Sequence, residues 1–175
     1  MTTARKPAAA LSSGFLKMLD DFAEYDPQNG HFYAPARDDF AAYVRELLDE
    51  EHGENLPPGY VPCSHRWVVD EKGNVVGVVR VRHDISTPFL ADEAGHIGYD
   101  VAPSLRRRGY GSACLRAGLE RAREVGLKQV LLFADANNPA SWRTIERCGG
   151  VLEAERYSDH YQCLVRRYRI DVPLA

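Results

Sequence analysis

Three consecutive arginines, Arg106, Arg107 and Arg108, run directly into Gly109, Tyr110, Gly111 and Ser112. Clustered positive charge beside nearly bare backbone is the chemistry of an anion cradle. Successive amides wrap around phosphate oxygens, and a residue without Cβ lets the ligand approach the main chain. Upstream, "HIGYDV" reads as a strand that Pro103 ends. Downstream, Leu115, Leu119 and Ala122 form one apolar helical stripe, with Arg116, Glu120, Arg123 and Glu124 on the opposite face. The run therefore occupies a strand-to-helix turn, where the unpaired N–H groups of a first helical turn and the helix dipole favour a phosphate or pyrophosphate. We expect both Gly109 and Gly111 to allow positive φ where the chain wraps the ligand. Two familiar nucleotide loops do not fit, because no GKS or GKT follows and there is no GxGxxG.

This positive cluster must act locally. The chain carries 22 Lys+Arg against 25 Asp+Glu, a net charge of -3, which gives no general attraction to nucleic acid or an anionic membrane. An RNA-binding segment of Arg-Gly type would lie in disordered sequence rather than between a strand and an amphipathic helix. No apolar run approaches the roughly 18 residues that span a bilayer. Cys63, Cys114, Cys148 and Cys163 include no CxxC pair, which suits reduced thiols and a cytoplasmic location. Cys63-Ser64-His65 invites a metal reading, but no second pair stands at ligand spacing and no metal is expected.

The elements that must position the loop follow from periodicity. Phe15, Met18, Leu19 and Phe22 fall at helical spacing, as do Phe40, Tyr43, Val44, Leu47 and Leu48 after the capping residues Asp38 and Asp39. "DPQNGHFYAPA" between them and "GENLPPGYVP" after them read as loops. "RWVVD" and "VVGVVRVRH" flank an "EKGN" turn and read as a hairpin, "DISTPFLADEAG" as a loop, and "KQVLLFA" as a buried strand. "NPASWRTIERCGG" reads as a helix opened by Asn138 and Pro139 and closed by Gly149 and Gly150, and two strand-like segments finish the chain. The order is α-α-β-β-β-α-β-α-β-β. It implies an α/β (α+β) fold with a mixed, mostly antiparallel central sheet and helices on both faces. At 175 residues we expect one domain, 1–175, with residues 1–13 a frayed tail.

"RRRGYG" resembles the Q/R-x-x-G-x-G/A signature of the GNAT superfamily of acetyl-CoA-dependent N-acetyltransferases, with Arg106 at its first position and Gly109 and Gly111 as its glycines. "HIGYDVAPSLRRRGYG" looks like the family's fourth strand and pyrophosphate loop, and "LLFADANNPAS" like its fifth strand and following turn. Asn138 stands where the family has an Asn, and Ser141 follows three residues later. Residues 66–155, about half of the chain, fit in this way. The resemblance implies acetyl-CoA as co-substrate, held by residues 106–112 with Asn138 and Ser141. It also implies a splay between the fourth and fifth strands, at which pantetheine adds to the backbone of "GYDV", including Asp100 and Val101, and of "LFAD", and an N–H near Val101 serves the oxyanion.

Two departures stand out. Ile145 occupies the position where the family often has a tyrosine that protonates the leaving thiolate, and "MTTARKPAAALSS" is a poor match to the family's first strand. Acetyl transfer from a thioester to an amine requires positioning, a deprotonated amine and oxyanion stabilisation. Glu93 and His96 are the candidates for the base, the alternatives being a loop surface charge for Glu93 and a strand residue satisfied by backbone for His96. Neither Tyr157 nor Tyr161 is placed as acid, and direct transfer is favoured over a covalent Cys114 or Cys148 intermediate. Asp26, Glu54, Asp92 and Glu93 in the flanking loops would suit a cationic acceptor, a small-molecule or peptide amine. The residues leave a homodimer open. The alternative reading is a non-catalytic acyl-CoA-binding regulatory module.

Overall fold

The β-branched hairpin organises the first sheet. In the computed structural model, which describes residues 1–173, β2 (Cys63–Asp70) and β3 (Val75–Arg82) pair antiparallel, with His65 opposite Arg80 and Trp67 opposite Val78. Asp70 builds the turn by accepting the N–H groups of Lys72 and Asn74, both at 2.9 Å. β4 (Ile97–Val101) adds antiparallel to β3.

Beyond β2 lies a strand the sequence reading missed. β1 (Thr2–Arg5) pairs antiparallel with β2, placing Thr2 opposite Asp70 and Arg5 opposite Trp67, so residues 2–5 are not a frayed tail. An edge strand of four residues is held by main-chain bonds to its neighbour, which leave little imprint on side-chain pattern. Further ties come from Lys6, whose Nζ lies 3.1 Å from Glu51.

β5 (Gln129–Asp135), β6 (Val151–Ser158) and β7 (Cys163–Asp171) form a second antiparallel sheet in the order β5-β7-β6, beside the first sheet's β1-β2-β3-β4. The crossover from β4 to β5 is α5 (Tyr110–Val125). Its Cys114, Leu115 and Ala122 pack on Val79 and Val81 of one sheet and Leu132 and Ile170 of the other.

The opposite face is covered by α1 (Ser12–Tyr25) and α4 (Phe40–His52). Phe15, Met18 and Phe22 pack there against Trp67, Val75 and Val78, with the Phe15 and Trp67 rings 4.4 Å apart. Asp39 caps α4 by accepting the Ala42 N–H at 2.8 Å. Between α1 and α4 the expected loop is instead helical turns: α2 (Pro27–Gly30), a 3-10 turn and α3 (Pro35–Asp38). Proline opens both short helices, where its missing N–H removes nothing from a ladder.

One buried carboxylate joins these layers. Glu51 of α4 accepts from Arg66 of β2 at 3.0 Å and Arg121 of α5 at 2.9 Å, in addition to Lys6. Burial alone would raise its carboxyl, but hydrogen bonds from Arg66 and Lys6 and the charges of Arg66 and Arg121 outweigh it and hold the group at about 2.

Candidate functional site

β4 and β5 touch at a single vertex. The His96 N–H donates to the Leu131 carbonyl at 2.8 Å, and the Leu131 N–H donates to His96 Nδ1 at 3.0 Å. Gly95 makes this approach feasible, since its φ is +67° and a Cβ there would sit 2.4 Å from the Leu131 oxygen. Past the vertex the strands belong to separate sheets, and a cleft of about 620 Å³ opens between Gly98 and Tyr99 on one side and residues 132–135 on the other. The Arg82 N–H bonds the His96 carbonyl and the Ala102 N–H bonds the Val76 carbonyl, so even-numbered residues of β4 face β3. The N–H and C=O of Tyr99 therefore face the cleft. By the same alternation against β7, those of Phe133 face it from the other wall.

At the carboxyl end of β4 the chain passes through a 3-10 turn, Pro103–Leu105, and enters α5. Among the described residues, no protein group accepts the backbone N–H of any of residues 107–112. These six consecutive amides are what a pyrophosphate needs. Arg107 at φ +64° and Gly109 at φ +86° turn the chain so that they precede the helix. Gly111 differs from expectation: it lies within the helix without positive φ, and a Cβ there would make ordinary contacts with Tyr99 at 3.6 Å and Thr144 at 3.7 Å. Arg106 also departs from the triple-arginine picture. Its guanidinium turns back to Asp26 at 2.5 Å and to the Val101 carbonyl at 3.3 Å, and lies over the Phe22 ring. It clamps the loop to the end of α1, while Arg107 and Arg108 are exposed.

Splayed strands above a bare-amide loop at a helix start agree with the family comparison. A model of the acetyltransferase (GNAT) family matches residues 18–150. The chain belongs to this family. No curated protein matches by sequence, but solved structures share the fold. A spermidine N-acetyltransferase chimera from Vibrio cholerae and hSSAT is 18% identical, covers 97% of this chain and 95% of its own, and superposes with a TM-score of 0.64. A phosphinothricin acetyltransferase from Sinorhizobium meliloti in complex with AcCoA is 14% identical over 98% of this chain and 88% of its own, with a TM-score of 0.63. The ribosomal L7/L12 alpha-N-protein acetyltransferase in complex with coenzyme A is 16% identical over 98% and 94%, with a TM-score of 0.70.

As a GNAT domain the protein is an acetyl-CoA-dependent acyltransferase, and its remaining site residues can be placed in that frame. α6 (Pro139–Arg147) starts at Asn138, whose Oδ1 accepts the Ser141 N–H at 3.2 Å, so Asn138 caps the helix. Ser141 and Ile145 face the cleft from successive turns of α6. Tyr99 lies against the same helix, its hydroxyl donating to the Ser141 carbonyl at 3.4 Å. Burial pushes the Tyr99 phenol up from its ordinary value.

Glu93 lines the cleft from a π-helical turn, Leu90–Ala94, while His96 does not line it. Glu93 accepts from Ser158 Oγ at 2.7 Å and from Arg156 at 3.3 Å. A carboxylate offers about four lone-pair directions, so acceptor capacity remains. His96 is 9% exposed, and burial pushes its imidazole down. Since Leu131 donates to Nδ1, the neutral ring carries its proton on Nε2 and has no free lone pair with which to take another.

Asp100 is engaged by side chains remote from the 107–112 amides. It pairs with Arg80 at 2.9 Å and accepts from the Tyr33 hydroxyl. Val101 is buried in the core beneath α5. Of the carboxylates expected to receive a cationic acceptor, Asp26 is tied to Arg106 and Glu93 to Arg156, while Glu54 and Asp92 are exposed and absent from the cleft wall.

What the sequence reading missed is a pair of arginines in the cleft wall. Arg80 and Arg82 line the cleft from one face of β3. The alternation of Val and Arg in "VVRVRH" carries that signal, because period two sends both arginines to one side. Elsewhere Glu50, Cys63 and His65 bring potential ligand atoms within 4.8 Å of one another. There Glu50 holds His65 at 2.5 Å, and burial pushes the Cys63 thiol up to about 12, against the thiolate a metal would need.

Proposed function

We propose that this acyltransferase moves the acetyl group of acetyl-CoA directly onto a primary amine of a small molecule or peptide. The observation that carries this reading is the row of free amides over residues 107–112 at the open end of the β4/β5 splay. The pyrophosphate sits on those amides, and the pantetheine arm follows the unpaired backbone edges of Tyr99 and Phe133. The thioester carbonyl is then beside β4, where the Tyr99 N–H is aimed at the developing oxyanion. Glu93, directly or through water, takes the proton of the ammonium, and His96 holds the vertex. Ile145 can donate no proton to the thiolate. The phenol packed against α6 is that of Tyr99 on β4, which burial keeps protonated, as a proton donor must be.

Isothermal titration with CoA, followed by a thiol-release assay with acetyl-CoA over an amine panel, tests the proposal. A saturable heat and amine-dependent thiol release are expected. A folded protein that takes up no CoA would refute the loop assignment, and CoA binding without amine-dependent release would refute transfer. The supporting likeness includes spermidine, phosphinothricin and protein alpha-N acetyltransferases, whose acceptors differ widely.

A further inference from the structure

One cation of the cleft, Arg82, forms no salt bridge with a carboxylate of the described residues. On the β3 face toward α1 and α3, Arg80 is satisfied by Asp100 at 2.9 Å and by the Tyr33 hydroxyl at 2.7 Å. Arg82, two residues on, makes one side-chain hydrogen bond, from Nη1 to the Gly95 carbonyl at 3.1 Å. No carboxylate oxygen among the described residues comes within 4.0 Å of it. Every other buried or half-buried arginine has such a partner: Arg66, Arg80, Arg121, Arg156 and the β7 arginines. The nearby acids are already engaged. Glu93 is held by Arg156 and Ser158, Glu50 by His65, and Asp135 by the Asn137 N–H at 2.7 Å. Tyr161, from the turn between β6 and β7, lines the same wall.

A partly buried guanidinium gives up hydration and is stabilised by an anion that restores its hydrogen bonds. Burial accordingly pushes Arg82 below its ordinary value. The pyrophosphate is not that anion. Arg82 is level with His96 at the start of β4, and the amide loop lies beyond Val101 at its end, about 16 Å away at ~3.3 Å per residue. Between those two points lies the stretch of β4 where the thioester carbonyl rests.

Resting on the acetyl-transfer reading above, we propose that Arg82 is an acceptor-binding residue, and that the acceptor is a small amine that also carries an anionic group, a carboxylate or a phosphate. The anion pairs with the Arg82 guanidinium and leaves the amino group directed along the cleft toward the thioester. A polyamine has nothing to offer this position and meets an uncompensated positive charge.

Matched acceptors test this: an amino acid against its carboxamide, and a phosphorylated amino alcohol against its parent alcohol, each assayed by thiol release at saturating acetyl-CoA. The anionic member of at least one pair is expected to have kcat/KM about 10- to 100-fold higher, the range of one charge-assisted hydrogen bond. Whichever pair shows the preference identifies the anion. In Arg82→Gln the preference should collapse through KM for the acceptor, with CoA affinity unchanged, and Arg82→Lys should recover part of it. Should no acceptor in the panel turn over, the anionic members must still raise the melting temperature of the wild-type CoA complex and fail to raise that of Arg82→Gln. Equal or better use of the uncharged partners or of diamines, a preference that survives in Arg82→Gln, or the absence of both turnover and thermal shift would overturn the proposal. Loss of CoA binding by the wild type would instead strike the acetyl-transfer reading, because CoA affinity does not pass through Arg82.

Discussion

The two glycines of the amide loop should respond to alanine with opposite sign. Gly109 sits at φ +86°, and an added Cβ would meet nothing within 4 Å. The whole cost of Gly109→Ala is therefore backbone strain, about 1–2 kcal/mol for an L-residue in the left-handed region. The loop can accept that strain as lost stability or relax out of the left-handed region and misplace the amides of residues 107–112. In the second case CoA affinity falls about tenfold for each ~1.4 kcal/mol. Gly111 is helical and its Cβ would have contacts of 3.6 Å and 3.7 Å, which are ordinary. Gly111→Ala should thus gain roughly 0.5–1 kcal/mol from reduced unfolded-state entropy. Urea unfolding with and without CoA, together with CoA titration calorimetry, separates the terms. The reasoning is wrong if Gly109→Ala matches wild type in both stability and affinity, or if Gly111→Ala is the less stable of the two.

Three further outcomes are expected. Glu51 has a depressed carboxyl, so its stabilisation is present above its ordinary 4.5 and is lost as pH falls toward about 2, an interval worth roughly 3 kcal/mol; the penalty of Glu51→Gln in urea unfolding should be large at neutral pH and shrink through that window, and a pH-independent penalty would show that the network is not electrostatic. Glu93→Gln should lose the rising limb of the kcat/KM profile and about 10²–10⁴ in rate, whereas His96→Gln should lower the melting temperature and keep the limb; repeating the profile with an acceptor of lower pKa excludes titration of the amine itself, and a limb that follows the acceptor in both variants rules out Glu93. Asn138→Ala should cost about 0.5–2 kcal/mol as a lost cap and raise KM for acetyl-CoA through Ser141 without changing KM for the amine; an unchanged melting temperature would contradict the cap.

Local patterns announced the parts of the molecule that local patterns build. The amide loop, the helix stripe of α5, the β5 strand and the Asn138-Pro139 helix start each occupy a few neighbouring residues. The first strand was hidden because Thr2–Arg5 is recruited by the edge of β2 rather than by its own periodicity. Arg106 looked like a phosphate ligand because nothing near it in sequence reveals Asp26, eighty residues away. Glu51 read as one more charge on α4, since its partners Lys6, Arg66 and Arg121 arrive from three other parts of the chain. Arg82 was readable in principle from the Val-Arg alternation, but its meaning depends on a missing partner, and only three dimensions show what is missing.

β4 and β5 are joined at the vertex of His96 and Leu131. Beyond it β4 and β5 are two sheet edges lying inside the molecule, each offering main-chain groups to whatever strand arrives. On the proposed reading, a pantetheine arm in the gap takes the place of an eighth strand and keeps both edges from pairing with another polypeptide. On that reading the co-substrate also protects the architecture, and withholding it bares two unpaired strand edges.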